Sequence, residues 1–199
     1  MKKIGIIGGT FDPIHNGHIK LATQALVEYG LDFVFVMPAK RNPFKLNKEV
    51  TNDHDRLEMI KLVIKDRPFL CLLDDEIKGE EVSYTYDTMT RLKADLVDCQ
   101  LYFILGLDSL LSLEHWYRGP ELLQMLSFIV SVRPGYDADK IDSTIKRYKE
   151  LYDAEILVIK DEMPDVSSTK IREMYKRGES ISHMVPPEVE RYISEHEIY

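Results

Sequence analysis

The sequence is poor in cysteine, in tryptophan and in positive charge, and it has no long apolar run. Its 199 residues include two cysteines and one tryptophan. Cys71 and Cys99 form no C-x-x-C pair and sit in or beside apolar runs. They read as buried free thiols, not as a disulfide framework or a zinc site. Lysine and arginine number 26 against 34 aspartates and glutamates, a formal net charge of −8. That balance excludes a nucleic-acid coat or a basic membrane-surface protein. It leaves room for a small anionic ligand in a local basic pocket. No stretch approaches the roughly 20 apolar residues of a membrane span. The opening MKKIGIIGGTF has a charged tip, but its apolar run is too short for a signal peptide. Repeats, low-complexity tracts and a convincing linker are also missing. These absences predict a cytoplasmic protein with neither nucleic acid nor membrane as a partner.

What is present is an ordinary globular composition, 44% hydrophobic and 30% charged. The length suits one α/β domain over residues 1–199. Short apolar runs recur: KIGIIGG from Lys3, DFVFVMP from Asp32, FLCLLD from Phe69, LYFILG from Leu101, FIVSVR from Phe128 and EILVIK from Glu155. Most are apolar throughout, as strands buried on both faces should be. Helical periodicity lies between them. Ile19, Ala22, Leu26 and Tyr29 form one stripe, and Ile141, Ile145, Tyr148 and Leu151 another. Asn52 or Asp53 can cap DHDRLEMIKLVIKD. Strand and helix in alternation predict a doubly wound parallel sheet with helices on both faces, a Rossmann-like α/β fold. Such sheets bind ligands at the carboxyl ends of their strands, where the winding reverses. The tail differs. Residues 161–199 read as a helical subregion of two short helices, the second starting at Pro186 and Pro187.

One stretch concentrates special residues: GGTFDPIHNGH, Gly8 to His18. Gly8 and Gly9 end the first strand, where a sharp turn and close approach to backbone N–H groups suit glycine. The helix that follows points its positive end at the same place. His15 precedes that helix and His18 sits in its first turn, so both imidazoles can face one spot and donate to phosphate oxygens. Thr10 adds a hydroxyl, and Gly17 removes a side chain between the histidines. As metal ligands the two histidines lack a further ligand pattern, and no metal site is predicted. A second cluster, SSTKIR, lies at Ser167 to Arg172. Ser167 or Ser168 can cap a helix there, and Arg172 lies one turn in, on the same end.

These residues carry a family resemblance. GGTFDPIHNGH resembles the H-x-G-H signature of the nucleotidylyltransferase superfamily, and SSTKIR its second signature, with Val166 where isoleucine is usual. DRLEMI at Asp55, SYTYDTM at Ser83, FILGLDSL at Phe103, HWYRGPELL at His115, SVRPG at Ser131 and the closing MVPPEVERYISEHEIY resemble one branch, the bacterial nicotinate mononucleotide adenylyltransferases. The resemblance implies a Rossmann-like enzyme of NAD biosynthesis that joins ATP to nicotinate mononucleotide and releases pyrophosphate. It implies an ATP site at Gly8, Gly9, Thr10, Phe11, His15, His18, Gly106, Asp108, Arg133, Ser168, Thr169 and Arg172. His15, His18, Lys45 and Arg172 would be catalytic, with His18 nearest the reacting phosphorus. Thr85 and Tyr117 would bind the nicotinate carboxylate through their N–H groups, with Trp116 stacked on the pyridine ring and Lys45 reaching in as a mobile charge. Mg²⁺ would arrive with ATP and need few protein ligands. Read from the residues alone, Asp108 is equally a helix cap and Trp116 a core anchor. The oligomeric state stays open, a homo-oligomer among the possibilities. One departure stands out: Phe44 precedes Lys45 where the family commonly has histidine.

Overall fold

The computed structural model describes residues 1–40, 50–79, 82, 84–132, 138–159, 161 and 163–199. Every apolar run becomes a strand: β1 Lys2–Gly9, β2 Phe33–Pro38, β3 Leu70–Leu72, β4 Cys99–Gly106, β5 Ser127–Ser131 and β6 Glu155–Ile159. They form one parallel sheet in the order β3-β2-β1-β4-β5-β6. The helices between them are α1 Asn16–Tyr29, α2 Asp53–Lys65, α3 Asp75–Lys78, α4 Thr85–Asp95, α5 Leu107–Ser112, α6 Gly119–Met125 and α7 Ala138–Tyr152, followed by α8 Ser168–Lys176 and α9 Pro187–Glu195.

The strands are apolar throughout because the period-2 alternation sends both sets of side chains into a core. Ile4 and Ile6 of β1, Phe103 and Leu105 of β4, and Phe128 and Val130 of β5 meet α4 to α7 on one face. Ile7, Ile104, Ile129, Val34 and Val36 point the other way, toward α1 and α2. The tail joins that second face. Ile171 of α8 and Val189 and Ile193 of α9, all 0% exposed, complete the same cluster. Asn52 caps α2 by accepting from the Asp55 N–H, and Ser167 caps α8 by accepting from the Lys170 N–H. Two expectations need correcting. Leu151 is 59% exposed, because the buried stripe of α7 keeps Ile141 and Tyr148 and turns away before its last turn. Cys71 and Cys99 are free but only half-buried, one on the sheet's edge strand β3 and one at the start of β4. Gly8 and Gly9 end β1 as expected, and the residue with a left-handed backbone in the turn after them is Phe11, at φ 50°.

Arg56 sits on the buried stripe of α2 with Met59, Ile60 and Val63 and is 0% exposed. Its guanidinium donates to the carbonyls of Thr10 at 2.7 Å, Ala39 at 2.8 Å, Thr51 at 3.2 Å and Lys40 at 3.4 Å, and to the Asp53 carboxylate at 2.6 Å. Three chain segments that would otherwise bring unpaired carbonyls into the interior are satisfied by one fork of donors. Arg56→Met should therefore lower stability by about 3 kcal/mol, the scale for orphaning buried polar partners. Urea unfolding at an unchanged m-value measures it, and a loss under about 1 kcal/mol would contradict this role.

Candidate active site

The winding reverses at β1, whose neighbours β2 and β4 lead the chain in opposite directions. A cleft of about 420 Å³ opens there, at the carboxyl ends of the strands. Gly8 and Gly9 from β1, Met37 from β2, Gly106 from β4 and Ser131 from β5 form its floor. That volume lies in the range of small-molecule sites.

One wall is the β1–α1 loop. His15 is the extended residue that precedes α1 and is 5% exposed. Its ring stacks on His18 at a centroid distance of 3.6 Å and 21° between planes. The His15 main-chain N–H donates to His18 Nδ1 at 3.3 Å. A neutral His18 ring therefore carries its proton on Nε2, so its remaining nitrogen is a donor. A Cβ at position 17 would lie 3.0 Å from His15 Nδ1, so glycine there makes room for the histidine ring itself. Phe11, 1% exposed, packs edge-on against His18 at 4.9 Å and fills the space over Gly9. Phe11 thus borders the cleft mainly as the wedge that orients His18. The Thr10 hydroxyl is buried and has no hydrogen-bond partner among the described residues.

The facing wall is the start of α8. Ser168 Oγ donates to the Pro13 carbonyl at 3.0 Å, so its hydroxyl proton is engaged inside the protein. Thr169 is exposed beside it, and both line the cleft. Arg172 Nη1 donates to the Asp12 carbonyl at 2.6 Å and lies 3.7 Å from the Asp12 carboxylate. The guanidinium keeps further N–H groups for a ligand. The N-termini of α1 and α8 therefore meet in one place with two histidines and an arginine between them. Unpaired helix N–H groups and this charge suit a polyphosphate.

The other end of the cleft is aromatic. Thr85 opens α4, so its N–H has no intrahelical partner. Trp116 follows a 3₁₀ turn at Leu113–His115, donates from Nε1 to Ser112 Oγ at 3.3 Å and packs edge-on to Phe103 at 6.2 Å. Tyr117, 50% exposed, meets the Tyr84 ring at 4.6 Å, which brings the Thr85 and Tyr117 segments together. Glu114 braces this loop from behind by accepting from Tyr152 Oη at 2.6 Å and pairing with Arg147 at 2.7 Å. The tyrosine and arginine hold its carboxyl below the usual range. Gly106 immediately precedes α5, and Asp108 is exposed in its first turn. Of the residues singled out by sequence, Lys45 and Arg133 lie outside the described residues, as do Phe44 and Ser83.

The structure adds residues that sequence reasoning passed over. Arg56 was visible as a charge on an apolar helical stripe. Glu76, 6% exposed, lines the cleft. Burial pushes its carboxyl up to about 7, against a hydrogen bond with Thr88 and the charge of Arg91 that favour ionisation. Asp12 ties Arg172 in place, and nothing in its sequence neighbours signals that partner. Among the described residues no group of three or more His, Cys, Asp or Glu is placed to hold a metal ion. No described helix is long and apolar enough to cross a membrane.

Comparison with known proteins follows the same lines. The profile of the cytidylyltransferase-like family matches residues 6–174. A probable nicotinate-nucleotide adenylyltransferase of Dehalococcoides mccartyi (strain CBDB1) is 38% identical over 198 residues, covering 99% of this chain and 97% of the relative. The nicotinate-nucleotide adenylyltransferase of Bacillus subtilis (strain 168) is 38% identical over 201 residues, covering 100% and 99%. Among solved structures, Plasmodium falciparum nicotinic acid mononucleotide adenylyltransferase complexed with NaAD superposes with a TM-score of 0.81 at 21% identity, covering 100% of this chain and 98% of that one. That likeness concerns the fold.

Gly119 sets the position of the aromatic wall. A Cβ there would lie 2.1 Å from the Leu113 carbonyl oxygen, an impossible contact with backbone. Gly119→Ala should force residues 113–118 apart. Trp116 is the sole tryptophan, so its emission reports the change directly. A shifted emission maximum and altered quencher access are expected, and an unchanged spectrum would contradict the packing described.

Proposed function

The chain belongs to the cytidylyltransferase-like family and, within it, to the nicotinate-nucleotide adenylyltransferases, and from that premise we propose how its cleft carries out their reaction. The enzyme transfers the adenylyl group of ATP to nicotinate mononucleotide, giving nicotinate adenine dinucleotide and pyrophosphate. The observation that carries the assignment of roles is the meeting of two helix N-termini, His15, His18 and Arg172 at one end of a cleft whose other end is Thr85, Trp116 and Tyr117.

The acceptor phosphate is already anionic, so it needs no general base. One of its oxygens attacks the α-phosphorus of ATP. The bond from that phosphorus to the bridging oxygen breaks, and pyrophosphate leaves with the electron pair. What remains for the protein is to bring anions together and to neutralise charge on the leaving group, the work of positioning and preorganised donors. We assign the triphosphate to Gly8, Gly9, Thr10, His15, His18, Thr169 and Arg172, with Ser168 contributing its main-chain N–H at the start of α8. His18 Nε2, backed by Phe11 and by the His15 N–H, would face the reacting phosphate. Asp108 would accept from the ATP ribose beside Gly106, with Arg133 toward the adenine and Lys45 between the phosphates of both substrates. Mg²⁺ would arrive with ATP, need few protein ligands, and supply charge neutralisation there. Free Cys71 and Cys99 suit a reducing compartment, and we assign the activity to the cytoplasm.

On the acceptor side, Trp116 would stack on the pyridine ring and the N–H groups of Thr85 and Tyr117 would meet its carboxylate. A carboxylate only accepts, so both donors are satisfied. A carboxamide accepts from one of them through its oxygen but presents its NH₂ to the other, leaving that N–H and the NH₂ unpaired in a partly dry pocket. Sites built on one hydrogen-bonding pattern reject the mismatch by up to roughly 10⁴-fold. Nicotinate mononucleotide should therefore exceed nicotinamide mononucleotide in kcat/KM by a factor of a hundred or more, to order of magnitude. Pyrophosphate release measured with each acceptor decides it. Equal values, or a preference for the amide, would remove the carboxylate from Thr85 and Tyr117.

A further inference from the structure

Asp12 is 3% exposed, and each of its carboxylate oxygens has a donor. Oδ1 accepts from Tyr199 Oη at 2.9 Å. Oδ2 accepts from the Thr51 N–H at 3.3 Å and lies 3.7 Å from Arg172 Nη1. The same Nη1 makes its short bond, 2.6 Å, to the Asp12 main-chain carbonyl and not to the carboxylate. Two opposite charges side by side in a buried place would normally close to a direct, bidentate pair. Here neutral donors occupy the carboxylate, and the guanidinium stands off. Burial, then the adjacent Asp12 charge, pushes the Tyr199 hydroxyl far above the usual phenol range, so it stays a donor at any working pH.

We infer that Tyr199 is a positioning residue for the triphosphate site, acting through the Asp12 carboxylate on Arg172. Its hydroxyl, 187 positions from Asp12 in the chain, holds Oδ1 and so fixes the rotation of the carboxylate that leaves Oδ2 standing 3.7 Å from Arg172 Nη1. Arg172 then keeps its outward N–H groups for phosphate. Tyr199 touches no reacting atom. Its effect is on the charge that Arg172 can offer, and the inference rests on the ATP site assigned above.

Calorimetric titration of the intact protein with ATP tests this without turnover. Tyr199→Phe should weaken ATP roughly tenfold, the scale of one hydrogen bond to a charged group. Affinity for nicotinate mononucleotide should stay within about twofold. In an Arg172→Ala background the same change should have no further effect on ATP, and likewise in Asp12→Asn, where the charge to be shielded is gone. A strut that merely anchors the chain would not show that coupling. ATP affinity unchanged by Tyr199→Phe, or weakened equally in all backgrounds, or lost together with the mononucleotide, overturns the inference. Circular dichroism of each variant separates unfolding from these outcomes. A wild-type protein that binds no ATP overturns the site assignment itself, a result distinct from a wild type that binds and a Tyr199→Phe variant that binds equally.

Discussion

The bond from Arg172 to the Asp12 carbonyl, 2.6 Å long and spanning 160 positions, is the interaction on which the site depends. Either helix N-terminus alone would be a weak anion site, worth a fraction of a kcal/mol to ~2 kcal/mol. A triphosphate needs several such sources converging. The bond from Arg172, with Ser168 to the Pro13 carbonyl alongside, holds α8 against the β1–α1 loop. The carbonyls used are main-chain groups of the motif itself. The loop that carries the histidines is therefore also the loop that fixes the second cluster, and neither can move without the other.

The sheet explains why this convergence happens at β1. Parallel strands need crossovers, and right-handed crossovers from a central strand put helices on opposite faces on either side of it. At the carboxyl end of β1 the loops diverge and leave a crevice. Arg56 closes the side toward β2 by pairing carbonyls from Thr10, Ala39 and Thr51, so the crevice has a firm wall at the histidine end. The aromatic end is held differently, by the close approach at Gly119 and by Glu114 under the loop. Separate supports allow the two ends of the cleft to be shaped independently.

Much of this was legible in the sequence because it depends on local rules. The six strands are runs that no helix periodicity competes with. The caps at Asn52 and Ser167 follow from short polar side chains before apolar stripes. The His15–Gly17–His18 grouping was readable as residues facing one spot, and they do line one cleft, although Gly17 serves the His15 ring more than the gap between rings. What was not legible is long-range. Asp12 reads as a turn residue, and its partners come from positions 51, 172 and 199. Phe11 gives no sign that it, and not a glycine, adopts the left-handed backbone in the turn. Leu151 fits the helical period but extends past the edge of the core. Pairing across the fold and the reach of a neighbouring surface are properties of the packed chain.

We propose that the chain works by holding two anions in line between preorganised donors, with the histidines donating hydrogen bonds and never bonding to phosphorus. His15 and His18, stacked at the cleft, are also the obvious candidates for the alternative, a covalent adenylyl-histidine. The stereochemical course at the α-phosphorus separates the two. With ATP bearing a chiral phosphorothioate at that position, direct attack by nicotinate mononucleotide should give a dinucleotide of inverted configuration. Retention would mean two successive displacements through an enzyme-bound adenylate and would contradict the account.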